Sequence, residues 1–295
     1  MRTQRNSILL AMLVASIPTA AAADLVWGTA ATTVQHQTDS GHDGHAPGAA
    51  GGQRSENHGG HVGHRGAEVL HLTDPENTQI SLWHSDLRRT VLTTDNGALQ
   101  LKPTGVDSYH ALVAERTSDN GHESAMRYVV LRGKPSGHSP AELLALEKVP
   151  LEIVPDPLPR EHHRYLSERP AKFLLRFQGK PLADAAVIVQ TSNGAHYELT
   201  TDTDGRFEIQ LPGDFGPVKA GRRRNPPADF VVRTQHRASG KYYRASLSAP
   251  YYVNPRHWQS NRTGLAAALS GFAVGLGILG IASRHSSTPS MSKTS

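Results

Sequence analysis

Short apolar runs, separated by turn residues, fill most of the chain between residues 70 and 250. Three turn sequences lie between two such runs, and each predicts a β-hairpin: Ser118-Asp119-Asn120-Gly121, Asp202-Thr203-Asp204-Gly205 and Ala238-Ser239-Gly240. Asn, Asp and Gly tolerate the backbone angles that tight turns require. About seven short strands, with turns every ~8–12 residues, are typical of a β-sandwich. The pattern therefore predicts a mainly β chain, with one short helix over 141–146 that begins after Pro140.

Residues 24–66 are rich in histidine and glycine and poor in apolar side chains. A segment with so little surface to bury cannot offset the entropy of folding, so we expect it to be disordered. Its six histidines fall within 29 residues: His36, His42, His45, His58, His61 and His64. Neutral imidazole binds zinc, copper and nickel, and glycine lets successive imidazoles close around one ion. The composition predicts a metal-binding arm, and a flexible linker without a selected role is the alternative.

A second candidate lies in the polar, proline-flanked loop that contains Glu161, His162 and His163. Adjacent histidines on a strand would point to opposite faces, so His162 and His163 could share one ion only in a loop. A solvated loop without a ligand is the alternative. The remaining histidines of the body are expected at the surface or satisfied in the core: His71, His84, His110, His122, His138, His196, His236 and His257.

Composition narrows the choice of metal. The chain contains no cysteine, which excludes disulfides, thiolate zinc sites and iron–sulfur clusters. Only Met126 and Met291 would remain after removal of an N-terminal leader, so a thioether site for Cu(I) is not expected. Histidine and carboxylate ligands favour Ni(II), Co(II), Zn(II) or Cu(II). The formal net charge of +5 is too small to predict a nucleic-acid partner.

Apolar segments lie near both ends of the chain. Arg2 and Arg5, an apolar run and Ala21-Ala22-Ala23 predict a cleaved secretory signal peptide over residues 1–23. The uncharged run from Leu265 to Ala282 would reach about 27 Å as a helix, close to the thickness of a bilayer core. We therefore predict a transmembrane helix over 263–283 and a cytoplasmic tail over 284–295. The expected location is the cell inner membrane, with a single span and the bulk of the chain in the periplasm.

The central motif is carried by two runs of the sequence. They are Gly179-Lys180-Pro181-Leu182-Ala183-Asp184-Ala185-Ala186-Val187-Ile188-Val189 and Thr201-Asp202-Thr203-Asp204-Gly205-Arg206-Phe207. Together they resemble the hairpin core of carboxypeptidase-regulatory-like and transthyretin-like sandwiches. With Leu151-Glu152-Ile153-Val154-Pro155 ahead of them, they resemble an uncharacterised periplasmic family described as a component of nickel/cobalt transport systems. The resemblance implies two small β-domains, over 67–148 and 149–258, the second an Ig-like or transthyretin-like sandwich.

The hypothesis from these features is a membrane-anchored protein that captures or buffers a divalent transition metal for a transport system. Its expected partners are a metal-transporter permease and the membrane. No catalytic residue is predicted, because the chain has no G-x-S-x-G, P-loop, Rossmann or H-E-x-x-H motif. Two alternatives stay open: a structural or adhesion module in which the arm is a spacer, and a secreted metallohydrolase that uses His162 and His163.

Overall fold

The computed structural model describes residues 25–29, 69–160 and 164–259. More than half of these residues lie in β-strands, which confirms the prediction of a mainly β chain. The strands are β1 (Trp27–Thr29), β2 (Val69–Leu72), β3 (Gln79–Trp83), β4 (Arg89–Leu92), β5 (Ala98–Gln100), β6 (Gly105–Val106), β7 (Ser108–Ser118), β8 (Gly121–Leu131), β9 (Gly133–Lys134), β10 (Leu151–Pro155), β11 (Tyr165–Leu166), β12 (Pro170–Phe177), β13 (Lys180–Pro181), β14 (Ala186–Thr191), β15 (His196–Thr200), β16 (Arg206–Gln210), β17 (Ala228–Ala238) and β18 (Lys241–Tyr252). The helical elements of the described ranges are α1 (Pro140–Ala145) and two 3₁₀ turns, Arg222–Arg224 and Pro255–His257.

Nine strands of the described residues form the main sheet, in the order β15-β14-β17-β18-β8-β7-β3-β4, with β11 pairing at the end of β18. Its neighbours are antiparallel except where β18 runs parallel to β8 and to β11. The β8–β18 ladder begins where Gly121 pairs with Tyr242 and ends where Arg127 pairs with Ser248. The sheet thus crosses the boundary predicted between residues 148 and 149, and the two predicted β-domains share it.

A smaller sheet covers one face of the main sheet and gives the molecule its sandwich character. In this sheet β12 lies between β10 and β16, and β13 pairs with the end of β12. Phe173 of β12 stacks on Phe207 of β16 at 5.3 Å between ring centroids, and meets Phe230 of β17 at 6.1 Å. The same core contains Val113 of β7 and Leu143 of α1. A single core therefore joins residues from both sides of the predicted boundary.

A third layer, formed by β1, β2 and β5, packs on the opposite face of the main sheet. Leu25, Trp27 and Leu99 of this layer share a second core with Ile80 and Leu112 of the main sheet. Residues 25–29 therefore correct the prediction of disorder that covered 24–66, because the fully buried side chains of Leu25 and Trp27 contribute enough apolar burial to order this strand. Residues 30–66 of that range lie outside the described residues.

Two of the three predicted hairpins are confirmed, β7–β8 and β17–β18. The hairpin predicted around Asp202 and Gly205 is wrong, because β15 pairs with β14 in the main sheet and β16 pairs with β12 in the smaller sheet. The turn is tight, since the Asp202 carboxylate accepts hydrogen bonds from the backbone N–H groups of Asp204 and Arg206. However, the Gly205 carbonyl accepts from the N–H of Leu175 on β12. The turn therefore passes the chain from one sheet to the other.

The predicted helix is confirmed as α1. Ser139 caps its N-terminus, accepting from the N–H of Glu142, while the Glu142 carboxylate accepts from the N–H of Ser139. Pro140 occupies the first turn, where its missing N–H costs nothing. The C-terminal end of this helix lies over a buried cluster of charged side chains, described below.

No helix formed by residues 25–29, 69–160 or 164–259 is long and apolar enough to cross a membrane. The predicted signal peptide at 1–23, the predicted span at 263–283 and the tail at 284–295 lie outside the described residues.

Candidate functional site

All eight predicted metal ligands lie outside the described residues: His36, His42, His45, His58, His61, His64, His162 and His163. Within the described part of the chain, no group of three or more His, Asp or Glu side chains is arranged to hold a metal ion. The structure therefore bears on the candidate site through the residues to which the two histidine segments are attached.

Strand β1 is held firmly on the main sheet. It leads into residues 30–68, which contain the six histidines of the predicted arm and which we call the histidine-rich segment. The N–H of Leu25 donates to the carboxylate of Glu123 on β8 at 3.2 Å, and the hydroxyl of Ser246 on β18 donates to the carbonyl of Leu25 at 2.5 Å. The N–H of Val26 donates to the hydroxyl of Thr73 at 2.9 Å. With the buried ring of Trp27, these contacts fix the backbone immediately before the segment.

The two ends of the histidine-rich segment are neighbours in one β-ladder. Thr29, the last described residue before it, pairs with Leu70, the second described residue after it. Leu70 pairs in turn with Leu99 of β5, so the ladder has strands on both sides of β2. The described fold thus brings together the two points from which the segment starts and ends.

Both histidine segments join the fold at the end of the main sheet where β18 finishes, which we call the exit end. The hydroxyl of Thr29 donates to the carboxylate of Asp229 at 3.3 Å, and Asp229 pairs with Pro250 on β18. On the other side of β18, Tyr165 pairs with Tyr251, two residues after His163. Because adjacent strands are ~4.8 Å apart, the backbones of Asp229 and Tyr165 lie about two strand spacings apart.

The loop that carries His162 and His163 is attached on both sides. Before it, the hydroxyl of Tyr109 donates to the carbonyl of Pro159 at 2.7 Å. After it, the guanidinium of Arg164 lies 4.2 Å from the ring centroid of Tyr252, a cation–π contact.

A buried ion pair lies beneath the attachment point of β1. The Arg127 guanidinium on β8 is 3.2 Å from the Asp229 carboxylate on β17, and it also donates to the hydroxyl of Ser248 at 3.3 Å. The side chains of Arg127 and Asp229 are only 2% and 4% exposed. The pair bridges the two strands that flank β18. The Asp229 carboxylate also accepts a hydrogen bond from the hydroxyl of Thr29. Sequence reasoning missed both residues, although the available signal was a charged residue of each sign next to an apolar run of the sequence.

Two of the scattered histidines form a buried pair. The rings of His84 and His110 lie 5.4 Å apart between centroids. The Nδ1–H of His110 donates to the carbonyl of Ser108 at 3.1 Å, and its Nε2 accepts from the hydroxyl of Thr104 at 2.8 Å. Burial lowers the pKa of His84 and of His110 below the ordinary histidine value, so both are neutral at pH 7. Both lie in the core, where His110 uses its two ring nitrogens, while the buried Nδ1 of His84 meets no hydrogen-bond partner among the described residues.

A second buried charge cluster underlies α1. The Glu152 carboxylate lies 3.1 Å from the ammonium of Lys148 and 2.6 Å from the guanidinium of Arg176. Arg176 also donates to the carbonyls of Ala145 and Leu146, which end the helix. Burial lowers the pKa of Lys148, and the carboxylate of Glu152 opposes that shift. Because its groups contact one another and helix carbonyls, the cluster is suited to joining α1 to the smaller sheet.

An open polar cleft of about 570 Å³ lies beside the start of the β8–β18 ladder. Arg116 on its wall lies 2.6 Å from the carboxylates of both Asp74 and Glu123. Tyr242 and Arg244 of β18 also line the cleft. Arg116 is thus paired with the two nearest carboxylates of the cleft, which offsets part of their negative charge.

No protein-family model matches the chain, and no curated protein matches it. Among solved structures, it is similar to a two-domain fibronectin type III segment from chicken tenascin, at 11% identity over 62% of this chain and 90% of that one, with a TM-score of 0.20. It is also similar to SGBP-B of the Bacteroides ovatus mixed-linkage glucan utilization locus, solved with a mixed-linkage heptasaccharide, at 15% identity over 63% of this chain and 39% of that one, with a TM-score of 0.15. At these scores neither structure bears on function.

Proposed function

We propose that this protein is a membrane-anchored, periplasm-facing protein that binds a divalent transition metal through its histidine-rich segment. The observation that carries the proposal is the density of ligands: six imidazoles within 29 residues, separated mostly by small and polar residues. The chemistry of the donor set fits Ni(II), Co(II), Zn(II) or Cu(II), because imidazole is a good ligand for each of them.

The attachment of the segment supports this function. Its two ends belong to one ladder, where Thr29 pairs with Leu70. Because the fold already holds the two ends together, less conformational entropy remains to be lost when distant histidines converge on one ion. The six imidazoles are also held at a high effective concentration near one another. The loop containing His162 and His163 joins the same end of the sheet, which supports a contribution from these two residues to the same ion.

The wider role follows from the proposed location. A signal peptide over 1–23 and a span over 263–283 would place the folded body in the periplasm, on the outer face of the inner membrane. There the protein would capture or buffer the metal for a transport system, with a permease as partner. The fold assigned to its body under this proposal is an Ig-like or transthyretin-like sandwich, widened by the strands that precede α1.

Calorimetric titration of the metal-free protein tests the proposal. At pH 7.5, at least one of nickel, cobalt, zinc and copper(II) should bind at micromolar concentration or below. Replacing the six histidines from His36 to His64 with asparagine should abolish that binding, while keeping the length and polarity of the segment. The variant H162N/H163N, measured beside it, reports the share of the second loop. Affinity should also fall as the pH drops through roughly 6.5, because only neutral imidazole is a ligand.

The same measurements separate the alternatives. If none of the four metals binds, the remaining alternative is a structural or adhesion module in which the histidine-rich segment is a spacer. Binding that survives the sixfold replacement but disappears in H162N/H163N would move the site to the second loop. Hydrolytic turnover lost with H162N would favour the metallohydrolase.

A further inference from the structure

The loop that connects β16 to β17 carries an unusual concentration of positive charge. Residues 217–227, which we call the basic loop, contain Lys219, Arg222, Arg223 and Arg224 and no acidic residue. All four basic side chains are exposed. Val218 beside them is 39% exposed, one of few large apolar side chains that the described surface leaves open to this extent. The loop thus presents positive charge together with an apolar side chain.

The backbone of the basic loop is closed by one side chain. Asn225 accepts from the N–H of Lys219 at 2.9 Å and donates to the carbonyls of Lys219 and Gly221 at 2.6 and 2.9 Å. Gly221, with φ +95°, precedes the 3₁₀ turn Arg222–Arg224. The turn therefore displays three consecutive guanidinium groups on a defined backbone, which lowers the entropy lost when they engage a ligand.

The three arginines of the turn form no ion pair with a carboxylate of the described residues, whereas several arginines elsewhere in the fold do. Among the described residues, no carboxylate lies within 4.0 Å of Lys219 or of the three arginines of the turn. By contrast, six arginines elsewhere form ion pairs with Asp or Glu: Arg88, Arg89, Arg116, Arg127, Arg176 and Arg206. The positive charge of the basic loop is available to an external anion.

The basic loop lies at the exit end. It leads directly into Ala228, which pairs with Tyr251 near the end of β18. The chain then passes through the 3₁₀ turn Pro255–His257, which exposes Arg256, to Gln259, the last described residue. The acidic side chains nearby are engaged, since Glu168 pairs with His257 at 3.1 Å and Asp214 accepts from Tyr251 at 2.5 Å.

We propose that the basic loop binds the anionic phospholipid headgroups of the membrane in which the chain is anchored. The inference rests on the span at 263–283 that forms part of the proposed function. Only residues 260–262 separate Gln259 from that span, and three or four extended residues reach at most ~14 Å. The exit end therefore lies within reach of the headgroups, where each Lys or Arg strengthens attachment about fivefold. Val218 would enter the interface beside them.

The absence of cysteine provides a direct test. Ala220→Cys, in the exposed part of the basic loop, gives one labelling site for a fluorophore in the full chain. The labelled chain is reconstituted in nanodiscs of phosphatidylcholine, with or without phosphatidylglycerol, that carry a headgroup-attached quencher. A chelator is present throughout, so that no metal can join the histidine-rich segment to the lipid. Quenching then reports the distance between the loop and the headgroups.

Quenching should be several-fold stronger with phosphatidylglycerol than without it, and 1 M salt should remove the difference, because the Debye length is then only ~3 Å. The variant R222Q/R223Q/R224Q should lower quenching to the phosphatidylcholine level, since three arginines together change the docked population roughly a hundredfold. The matched control is K180Q/R237Q/K241Q, which removes the same amount of positive charge at the end of the fold opposite the exit end. Lys180 lies on β13, beside the last residue of β12, and Arg237 and Lys241 flank the turn of the β17–β18 hairpin. This control should retain full quenching.

Equal quenching in the two lipid mixtures, or an equal loss in both triple variants, would overturn the proposal while leaving the anchor intact. Failure of the full chain to co-elute with nanodiscs would overturn both the anchor and the lipid contact. Neither result affects the metal titration, because that experiment depends on histidines in other segments.

Discussion

The guanidinium of Arg127 lies 3.2 Å from the carboxylate of Asp229 across the main sheet, with β18 between their two strands. Both side chains are almost completely buried. Removing one partner of a buried ion pair is strongly destabilising. The same carboxylate accepts the hydroxyl of Thr29, so the pair also lies under the strand that begins the histidine-rich segment.

We expect Asp229→Asn to lower the free energy of unfolding by about 3–5 kcal/mol. The control is Asp156→Asn, which breaks a pair with Arg206 that is shorter, at 2.6 Å, but about half exposed. That loss should be below about 1 kcal/mol, because solvent screens exposed pairs. Denaturant unfolding of both variants provides the comparison, and equal losses would contradict a special role for burial.

The cluster of Lys148, Glu152 and Arg176 predicts an asymmetry between its members. Glu152→Gln leaves two buried cations without their carboxylate, and should cost about 3–5 kcal/mol of stability. Lys148→Met keeps the contact between Glu152 and Arg176, and should cost less than about 1.5 kcal/mol because the side-chain volume is nearly conserved. Urea unfolding at pH 7 measures both, and a larger loss for Lys148→Met would show that the ammonium is the essential charge.

The parallel junction between β8 and β18 predicts that Gly121 cannot be replaced. A Cβ atom at this position would lie 1.8 Å from the carbonyl oxygen of Tyr242, which belongs to the backbone of the adjoining strand. Gly121→Ala should therefore destabilise the protein by about 1–3 kcal/mol or more. Gly216→Ala is the matched control, because a Cβ there meets nothing within 4 Å. If thermal unfolding shifts equally in the two variants, the close approach at the junction is not the cause.

The buried pair of His84 and His110 predicts a loss of stability in mild acid. Burial lowers the pKa of both imidazoles in the folded protein below the ordinary value of 6.5, which the unfolded chain retains. Protons then bind the unfolded state first, so the stabilisation is complete above pH 6.5 and decreases as the pH falls from 6.5 toward the folded-state pKa values. Denaturant unfolding of the metal-free protein between pH 7.5 and 5 should show this slope. The unfolding free energy should depend less steeply on pH in H84Q/H110Q than in the unchanged protein. An equal dependence in the two proteins would assign the effect to other groups.

Local chemistry in the sequence was enough to predict most individual elements. The turns of the β7–β8 and β17–β18 hairpins lie where the sequence predicts them, and the short helix begins at Pro140. These elements depend on contacts within a few residues, so the pattern contains the information. The connection around Asp202 shows the limit, because the same turn sequence serves a hairpin or a passage between sheets. The choice depends on β12, about thirty residues away along the chain.

The candidate site divides in the same way. The histidines of the arm and the pair at 162–163 are visible in the sequence, and their role in metal binding remains a prediction. What the sequence could not show is where these segments are attached. That depends on Thr29 pairing with Leu70, and on Tyr165 continuing along β18 where β8 has ended.

The sequence by itself determined that the chain is mainly β, where its turns and short helix lie, and which residues offer metal ligands and positive charge, because each depends on composition or on neighbours along the chain. Only the tertiary structure decided that one sheet and one core join the two predicted domains, that Trp27 and its strand are buried, and that the basic loop shares the exit end with the last residues of the fold. These features arise from pairings such as Gly121 with Tyr242, which are distant in sequence and form only when apolar faces of separate strands are buried together.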